Sequence, residues 1–447
     1  MVSNQKLFSV GNFDFRLQHL LVIGILVLSV SISMLIRSPP LGYGNELFEY
    51  DPFFNFRATE YLVNNGLDNY LEWHDEKTWH PFGRDISNTS QVTLHLTTAI
   101  LYPIFNFGAS LYNFTILFPL VIGSLTSIVA FALVRVLGGT TAGLFASLIF
   151  AISIPVLVRG FAGWFKSEPL GLFFGFLALY LFVSGIKNNK NKISALKLIG
   201  AALFLALSIS AWGGSIFFIL AIALFLFTLP FFKHEKNFLI WATPVFSITF
   251  ILFSLMFERT LASTSQYVGF AILLPTVFVV VSEIIKKFSD ETKKIRNCIL
   301  FLAAIIVSGI GIFSAGLINL PSFRYQNALN PLLVTTDPLT DSVSEHAVTD
   351  LATSFTFFSV FMIFGVIGAW YIFTNKSFSM KNDMRVFSLV VSFFAIYLSS
   401  AFIRLELFAT LGLLILGGIG LGILFNQIFK LEKTSLKIIT SCVILIL

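Results

Sequence analysis

The chain has 447 residues, of which 56% are hydrophobic and only 12% are charged. This composition excludes an ordinary soluble domain and is typical of an integral membrane protein. A net charge of +6 does not indicate a nucleic-acid partner, because most basic residues fall in short loops between apolar runs. The two cysteines, Cys298 and Cys442, lie in or beside apolar runs, so no disulfide framework is expected.

The apolar runs are close to 20 residues long and do not alternate with polar residues. This pattern predicts an all-α, polytopic membrane helix bundle and argues against a β-barrel. Charged residues before the first run predict a retained first helix rather than a cleaved signal peptide. The predicted spans are 18–36, 113–135, 140–158, 168–186, 197–212, 215–232, 238–257, 265–285, 297–318, 353–374, 386–402 and 406–429.

Basic loops set the orientation of these spans. Placing them in the cytoplasm puts the N-terminus inside. The basic loops are 187–197, 233–236, 286–296, 376–385 and 430–437. The segments 37–112, 159–167, 319–352 and 403–405 then share the outer side. The stretch 92–107 is short for a span and carries His95, so we expect it to lie at the outer interface or to pack on the bundle.

The same pattern predicts the domain organisation. Residues 1–437 form a membrane domain with two long external loops, 37–112 and 319–352. Three prolines in the second loop favour a mobile segment. The apolar residues 438–447 make about half of a crossing, since a span needs about 20, so we expect them to begin a truncated thirteenth span. A C-terminal globular domain is expected to be absent.

The segment Glu49–Glu60 after the first span is the strongest candidate for a functional site. Glu49 and Asp51 lie beside four aromatic rings, with Arg57 close behind. Charged groups at a bilayer surface are costly unless they are solvated, paired or bound to a cation, which favours a functional cluster. The alternative is an aromatic interfacial belt with solvated charges.

Several motifs in chain order resemble the catalytic subunit of oligosaccharyltransferase in its archaeal and eukaryotic forms. The segments 49–61 and 79–84 resemble the first external loop of that family. The remaining matches, which together extend over essentially the whole chain, are Arg159-Gly-Phe-Ala-Gly163, Trp212-Gly213-Gly214, Ser342-Val-Ser-Glu345-His346 and Arg404-Leu405.

The resemblance implies a GT-C-type glycosyltransferase that moves an oligosaccharide from a polyprenyl-linked donor to Asn of an Asn-X-Ser/Thr sequon. It implies that Asp51 and Glu345 are catalytic and that Arg404 binds the donor phosphate. It further implies Mn²⁺ or Mg²⁺ as cofactor, held by Asp51, Glu168 and Glu345, because hard cations prefer carboxylate oxygens. Supporting roles are expected for Glu49, Arg57, Arg159 and His346.

One position departs from the family pattern. The second acidic motif reads Lys166-Ser167-Glu168, with lysine where the family has an acidic metal ligand. Three interpretations stay open: Glu168 takes the place of the ligand, Lys166 itself supplies positive charge toward phosphate, or the protein is a paralogue of reduced activity. The family's sequon-reading domain also has no counterpart here, so a separate polypeptide is a predicted partner.

Two other functions compete with this one. A related polyprenyl-phosphate-sugar transferase would use another acceptor. A transporter is less favoured, because transporters place ionisable residues near the bilayer midplane, whereas these acids fall in external loops. The predicted partners are the lipid-linked donor, an acceptor polypeptide and membrane lipids, without nucleic acid. The predicted location is a multi-pass protein of the cell membrane, with archaea favoured, or of the endoplasmic reticulum, with an extracytoplasmic active site.

Overall fold

The computed structural model describes residues 6–11, 13–188, 191–233, 236–315, 323–332, 342–374, 380–428, 431, 435–437 and 440–441. The chain enters the bundle through two short antiparallel strands, β1 (Lys6–Val10) and β2 (Phe13–Arg16). A second pair, β3 (His74–Asp75) and β4 (Arg84–Asp85), lies in the first external region. The rest of the described fold is almost entirely helical, as predicted.

The helices differ greatly in length, and the long ones form the bundle. In chain order they are α1 (Leu17–Arg37), α2 (Tyr50–Leu71), α3 (Ile86–Thr89), α4 (Val92–Phe105), α5 (Leu111–Gly138), α6 (Thr140–Ile152), α7 (Ile154–Leu157), α8 (Glu168–Lys187), α9 (Asn191–Ala211), α10 (Ile216–Phe232), α11 (Lys236–Ser254), α12 (Glu258–Ser263), α13 (Gly269–Phe288), α14 (Lys294–Ser314), α15 (Phe323–Leu329), α16 (Leu351–Phe358), α17 (Phe361–Thr374), α18 (Asn382–Ser399) and α19 (Glu406–Ile428).

The predicted number of spans is confirmed for the described residues. Ten helices are long and apolar enough to cross a membrane, and twelve are reached when two bent pairs each count as one span. The span predicted at 140–158 bends by 63° between α6 and α7, next to Pro155. The span predicted at 353–374 bends by 92° between α16 and α17. Proline explains the first bend, because it removes a helical hydrogen bond.

Aromatic and small side chains together bring the helices close. Phe150, Phe176 and Phe218 are buried in one continuous core. At Gly368 on α17, an added Cβ would lie 1.9 Å from the carbonyl oxygen of Leu416 on α19. Backbone approach of this kind is typical of membrane helix packing. It fixes α19, whose first turn contributes to the site described below.

Basic side chains meet at the end of the bundle that lies opposite the site described below. Lys233 Nζ donates to the Ile186 carbonyl at 2.9 Å and pairs with Asp383 at 3.1 Å. Lys381 donates to the Lys187 carbonyl at 3.2 Å. The loops that carry these residues therefore share one end, which agrees with the threading predicted from loop charge.

The first external region is largely folded into helices rather than extended. Helix α4, at the stretch 92–107, is shorter than a span and packs against α2 and α9. This is the second of the two placements expected from the sequence. The predicted start of a thirteenth span at 438–447 lies outside the described residues except for 440 and 441, as do 319–322 and 333–341 of the second external loop.

Candidate active site

A polar cavity of about 410 Å³ lies at the end of the bundle away from the basic loops. It forms where α8 begins, α9 ends and α19 begins, with α2 closing one side. The lining includes Asp51, Asn55, Arg84, Gln91, Lys166, Glu168, Trp212, Gly213, Gly214, His346, Phe402 and Arg404. Residues from distant parts of the chain thus meet at the predicted outer surface.

The first cluster in this region joins Lys166 to the two acids before and within α2. The Lys166 ammonium forms an ion pair with Glu49 and lies 3.4 Å from Asp51 Oδ2. Glu49 itself has φ +69°, which is uncommon for a residue other than glycine. The side chain of Lys166 is only 12% exposed, whereas that of Asp51 is 74% exposed. Asp51 is therefore accessible to a ligand.

The second cluster joins two arginines to two glutamates. Arg159 Nη1 lies 2.7 Å from Glu345 Oε1 and 3.8 Å from Glu168 Oε1. Arg404 bridges the same acids, at 3.3 Å from Glu168 Oε1 and 3.3 Å from Glu345 Oε2. The segments 159–167, 319–352 and 403–405, which are predicted to share the outer side, therefore contact one another here.

The electrostatics of the second cluster keep Glu345 ionised. Partial burial opposes ionisation and by itself would raise its pKa. The hydrogen bond from Arg159, together with the positive charges of Arg159, Arg404 and Lys166, outweighs burial and holds the pKa of Glu345 below its ordinary value. The turn at Ser344–His346 therefore presents a carboxylate at neutral pH.

A buried polar chain positions the backbone next to Lys166. Asn55 Nδ2 donates to the Phe165 carbonyl at 2.9 Å, and Asn55 Oδ1 lies 3.1 Å from His95 Nε2. His95 Nδ1 lies 2.6 Å from the Tyr70 hydroxyl. Burial, aided by the positive charge of Arg84, lowers the pKa of His95 to about 3. The neutral imidazole that fits this network donates from Nε2 to Asn55 and accepts at Nδ1 from Tyr70.

Glycine at 163 lets two segments of the site touch. Gly163 has φ +85°, and an added Cβ would lie 2.4 Å from the Glu46 carbonyl oxygen. The Phe48 N–H donates to the Gly163 carbonyl at 3.4 Å, and the Gly163 N–H donates to the Ile116 carbonyl at 2.9 Å. The chain that leads into α2 is thereby held against the segment that ends in Lys166.

An apolar cavity of about 190 Å³ adjoins the polar one. The two share Gly214, Ala328 and Leu405 in their linings. The second cavity is otherwise formed by aliphatic and aromatic side chains, among them Ile216, Phe217 and Phe408. A polar headgroup and an apolar chain of one molecule can therefore occupy neighbouring spaces.

Two predicted supporting residues lie in different places. His346 lines the cavity, with its ring 5.5 Å from that of Phe402. Arg57 instead pairs with the buried Asp75, which also accepts from Thr78 at 2.7 Å, and it does not line the cavity. Arg57 therefore holds the β3–β4 region against α2.

Several residues of the site were not predicted from the sequence. Asn55, Arg84 and Gln91 line the cavity, and His95 supports its wall through Asn55. The guanidinium of Arg84 stacks over Phe54 at 4.2 Å and over Trp79 at 4.7 Å. Arg84 and Asn55 stand inside the motifs 79–84 and 49–61, so motif membership was an available signal.

The residues present do not fit a divalent metal in the expected place. No three His, Cys, Asp or Glu side chains in the described residues lie close enough to hold a metal ion. An ammonium group occupies the position of the expected ligand at 166. Glu49, Asp51, Glu168 and Glu345 each lie within 4 Å of a lysine or arginine nitrogen, so each of these carboxylates already has a cationic partner.

The long apolar helices, with a charged cavity at one end of the bundle, are those of a multi-pass integral membrane protein. The model of the family "Oligosaccharyl transferase STT3, N-terminal" matches residues 42–408, and the chain belongs to this family.

Curated relatives include two oligosaccharyltransferase subunits. The stt-3 subunit of Caenorhabditis elegans is 26% identical over 400 residues, covering 87% of this chain and 52% of the relative. The STT3 subunit of Dictyostelium discoideum is 27% identical over 417 residues, covering 89% and 56%. The chain thus spans about half the length of the curated relatives it matches.

Solved structures of the Archaeoglobus fulgidus oligosaccharyltransferase share the fold. AglB in complex with an inhibitory peptide and a dolichol-phosphate has a TM-score of 0.76 at 15% identity, covering 96% of this chain and 54% of AglB. A complex of the same enzyme with Zn and sulfate has a TM-score of 0.68 at 16% identity, covering 90% and 49%.

Proposed function

We propose that this chain transfers an oligosaccharide from a polyprenyl-pyrophosphate donor to the side-chain amide of Asn in an Asn-X-Ser/Thr sequon. The observation that carries the proposal is the juxtaposition of carboxylates and Arg404 around one polar cavity that adjoins an apolar one. A charged headgroup with a long apolar tail fits this pair of spaces. AglB was solved with a dolichol-phosphate and an inhibitory peptide, which resemble in kind the lipid-linked donor and the acceptor polypeptide of this proposal.

Arg404 is the proposed binding group for the donor phosphate. Its guanidinium is fixed between Glu168 and Glu345. The Arg404 side chain remains 36% exposed, so some of its N–H groups stay available to a ligand. The planar fork of arginine matches two phosphate oxygens. The N-terminal end of α8, which starts at Glu168, adds a positive dipole on the same side of the cavity.

The carboxylates Asp51 and Glu345 are the proposed catalytic groups. The amide nitrogen of Asn is a poor nucleophile because its lone pair is delocalised into the carbonyl. Carboxylates that accept hydrogen bonds from its N–H groups favour attack by this nitrogen on the sugar. A bond forms between this nitrogen and the anomeric carbon while the carbon–oxygen bond to pyrophosphate breaks, and the electron pair leaves on the phosphate oxygen. The nitrogen loses one proton, which the exposed Asp51 carboxylate accepts.

The metal predicted from the sequence, Mn²⁺ or Mg²⁺, enters no step of this scheme, because the ammonium of Lys166 stands at the expected ligand position. An extracytoplasmic site in an archaeal cell membrane, or the endoplasmic reticulum membrane, is part of the same proposal.

The test is a transfer assay with the purified chain in lipid nanodiscs. The chain is incubated with a lipid-linked oligosaccharide and a sequon peptide, with and without the soluble domain of an archaeal relative, and products are identified by mass spectrometry. Glycopeptide formation supports the proposal. Transfer to a different acceptor, or release of free oligosaccharide in every condition, would contradict it and favour the related polyprenyl-phosphate-sugar transferase.

A further inference from the structure

We propose that the ammonium of Lys166 takes the place of a divalent cation in this site, holding Glu49 and Asp51 and binding the donor pyrophosphate without a metal. This inference rests on the proposed function, because it concerns the same donor. It concerns a single side chain whose charge is opposite to that of the expected ligand.

The charges around the cavity disfavour a divalent cation. Four carboxylates, those of Glu49, Asp51, Glu168 and Glu345, face three cations, those of Arg159, Lys166 and Arg404. A divalent ion binds where several anionic oxygens lack other cationic partners. Here each of the four carboxylates already has a cationic partner within 4 Å, and a metal near Asp51 would also meet the repulsion of the ammonium.

Lys166 is held in a fixed position by its neighbours. Its backbone N–H donates to the Trp164 carbonyl at 2.7 Å, and the preceding carbonyl, of Phe165, accepts from Asn55. The Trp164 ring lies 4.2 Å from Nζ and covers one side of the ammonium. A lysine side chain is ordinarily flexible, but this one is held at its backbone and at its charged end.

The N–H groups of the Lys166 ammonium are placed to bind a phosphate oxygen as well as the two acids. An ammonium has three N–H donors. Glu49 accepts a hydrogen bond from one of them, Asp51 lies 3.4 Å away as an ion-pair partner, and both Lys166 and Asp51 line the cavity. A remaining N–H group of the ammonium therefore serves a phosphate oxygen of the lipid-linked substrate. As the carbon–oxygen bond breaks, negative charge grows on that pyrophosphate, and a fixed positive charge beside it favours departure.

The first test measures metal binding without any requirement for activity. Mn²⁺ is titrated into the purified chain in nanodiscs and followed by electron paramagnetic resonance. Lys166→Asp removes the ammonium and adds a ligand, so we expect it to bind Mn²⁺ at least about tenfold more tightly than the unaltered chain. Lys192→Asp, at an exposed position in the predicted cytoplasmic loop, makes the same charge change and is expected to leave the titration unaltered.

The second test measures the proposed ligand contact. Binding of farnesyl pyrophosphate is measured in EDTA and in Mn²⁺ for the unaltered chain, Lys166→Met and Lys166→Arg, with thermal melting to confirm that each variant is folded. We expect EDTA to have no effect on the unaltered chain, Lys166→Met to weaken binding by about tenfold and Lys166→Arg to restore most of it.

The inference would be overturned if the unaltered chain bound Mn²⁺ as tightly as Lys166→Asp does, or if EDTA released farnesyl pyrophosphate. Equal binding of the probe by the unaltered chain and a folded Lys166→Met variant would overturn it as well. If the probe fails to bind under all conditions, the proposed function fails, and the Mn²⁺ titration still decides the role of Lys166.

Discussion

Arg159 Nη1 lies 2.7 Å from Glu345 Oε1, and Arg404 Nη1 lies 3.3 Å from the other oxygen of the same carboxylate. Two arginines from the ends of different spans therefore hold the turn at Ser344–His346 over the cavity. Each of them also reaches Glu168 at the start of α8. Ion pairs at this turn thus help to attach the described part of the second external loop to the bundle.

This attachment predicts a particular pH dependence for Glu345→Gln. A carboxylate whose folded pKa is lowered stabilises the fold above its unfolded pKa, and the stabilisation is lost as the pH falls through the folded value. The difference in thermal stability between the unaltered chain and Glu345→Gln should be constant above the ordinary value of 4.5 and should shrink below it. Thermal melts at several pH values check this, with the exposed Glu72→Gln as control. A difference that grows on acidification would contradict the prediction.

The buried His95 predicts a second, separate effect of acid. Its pKa is about 3 in the fold against 6.5 ordinarily, so below pH 6.5 the unfolded chain binds a proton that the folded chain does not. Stability should fall with decreasing pH across this interval by about 1.4 kcal/mol per pH unit from this group. His95→Gln should remove that slope, and melts from pH 7 to pH 4 measure it.

His95→Phe tests the hydrogen bonds of the same residue. It leaves the Tyr70 hydroxyl and Asn55 Oδ1 without this partner, at a cost of about 1–3 kcal/mol for each buried group. We expect a lower melting temperature at every pH and weaker binding of farnesyl pyrophosphate, because Asn55 without His95 holds the Phe165 carbonyl beside Lys166 less firmly. A variant as stable as the unaltered chain would show that the network is dispensable.

Gly163→Ala tests the contact between the segment before α2 and the wall of the cavity. The added Cβ would lie 2.4 Å from the Glu46 carbonyl oxygen and 2.8 Å from the Phe48 ring. Gly108→Ala is the matched control, because Gly108 has nearly the same positive φ with nothing within 4 Å of an added Cβ. We expect both variants to lose about 1 kcal/mol from backbone strain, with a further loss and weaker ligand binding only at Gly163. Equal melting temperatures would refute the close contact.

Arg404→Ala should weaken binding of farnesyl pyrophosphate by roughly tenfold or more, since charge-assisted hydrogen bonds contribute about 1.5–3 kcal/mol. Arg404→Lys keeps the charge but loses the planar fork, so it should bind with intermediate affinity. Arg57→Ala serves as the control for loss of a guanidinium outside the cavity, and it should lower stability without this loss of affinity. Unchanged affinity in a folded Arg404→Ala variant would remove Arg404 from the phosphate site.

The sequence predicted the spans well because membrane crossing imposes a simple length and polarity on each helix. The bends next to Pro155 and Ser359 were not predicted, since a hydropathy pattern records depth in the membrane and contains little about direction. The helix α2 in the first external region was not predicted as a packed element, because its buried face is completed by α4, whose own placement the sequence left open between two alternatives.

The site was predictable where it depends on charge type and motif order, as for Asp51, Glu168, Glu345 and Arg404. It was not predictable where a role depends on a partner far along the chain. The pairing of Lys166 with Glu49, which lie 117 residues apart, is such a case. Arg57 shows the reverse, since its place in a motif suggested the site while Asp75 holds it elsewhere.

The most direct measurement is the labelling of single cysteines introduced at positions 51 and 345 in a chain whose Cys298 and Cys442 are replaced by serine. A membrane-impermeant maleimide is added to sealed vesicles of known orientation, with a cysteine at 192 as the marker of the opposite side. Our account predicts that 51 and 345 react from the same outer side and 192 only from the other. Reaction of 51 and 345 from opposite sides would contradict the shared cavity on which the proposed transfer depends.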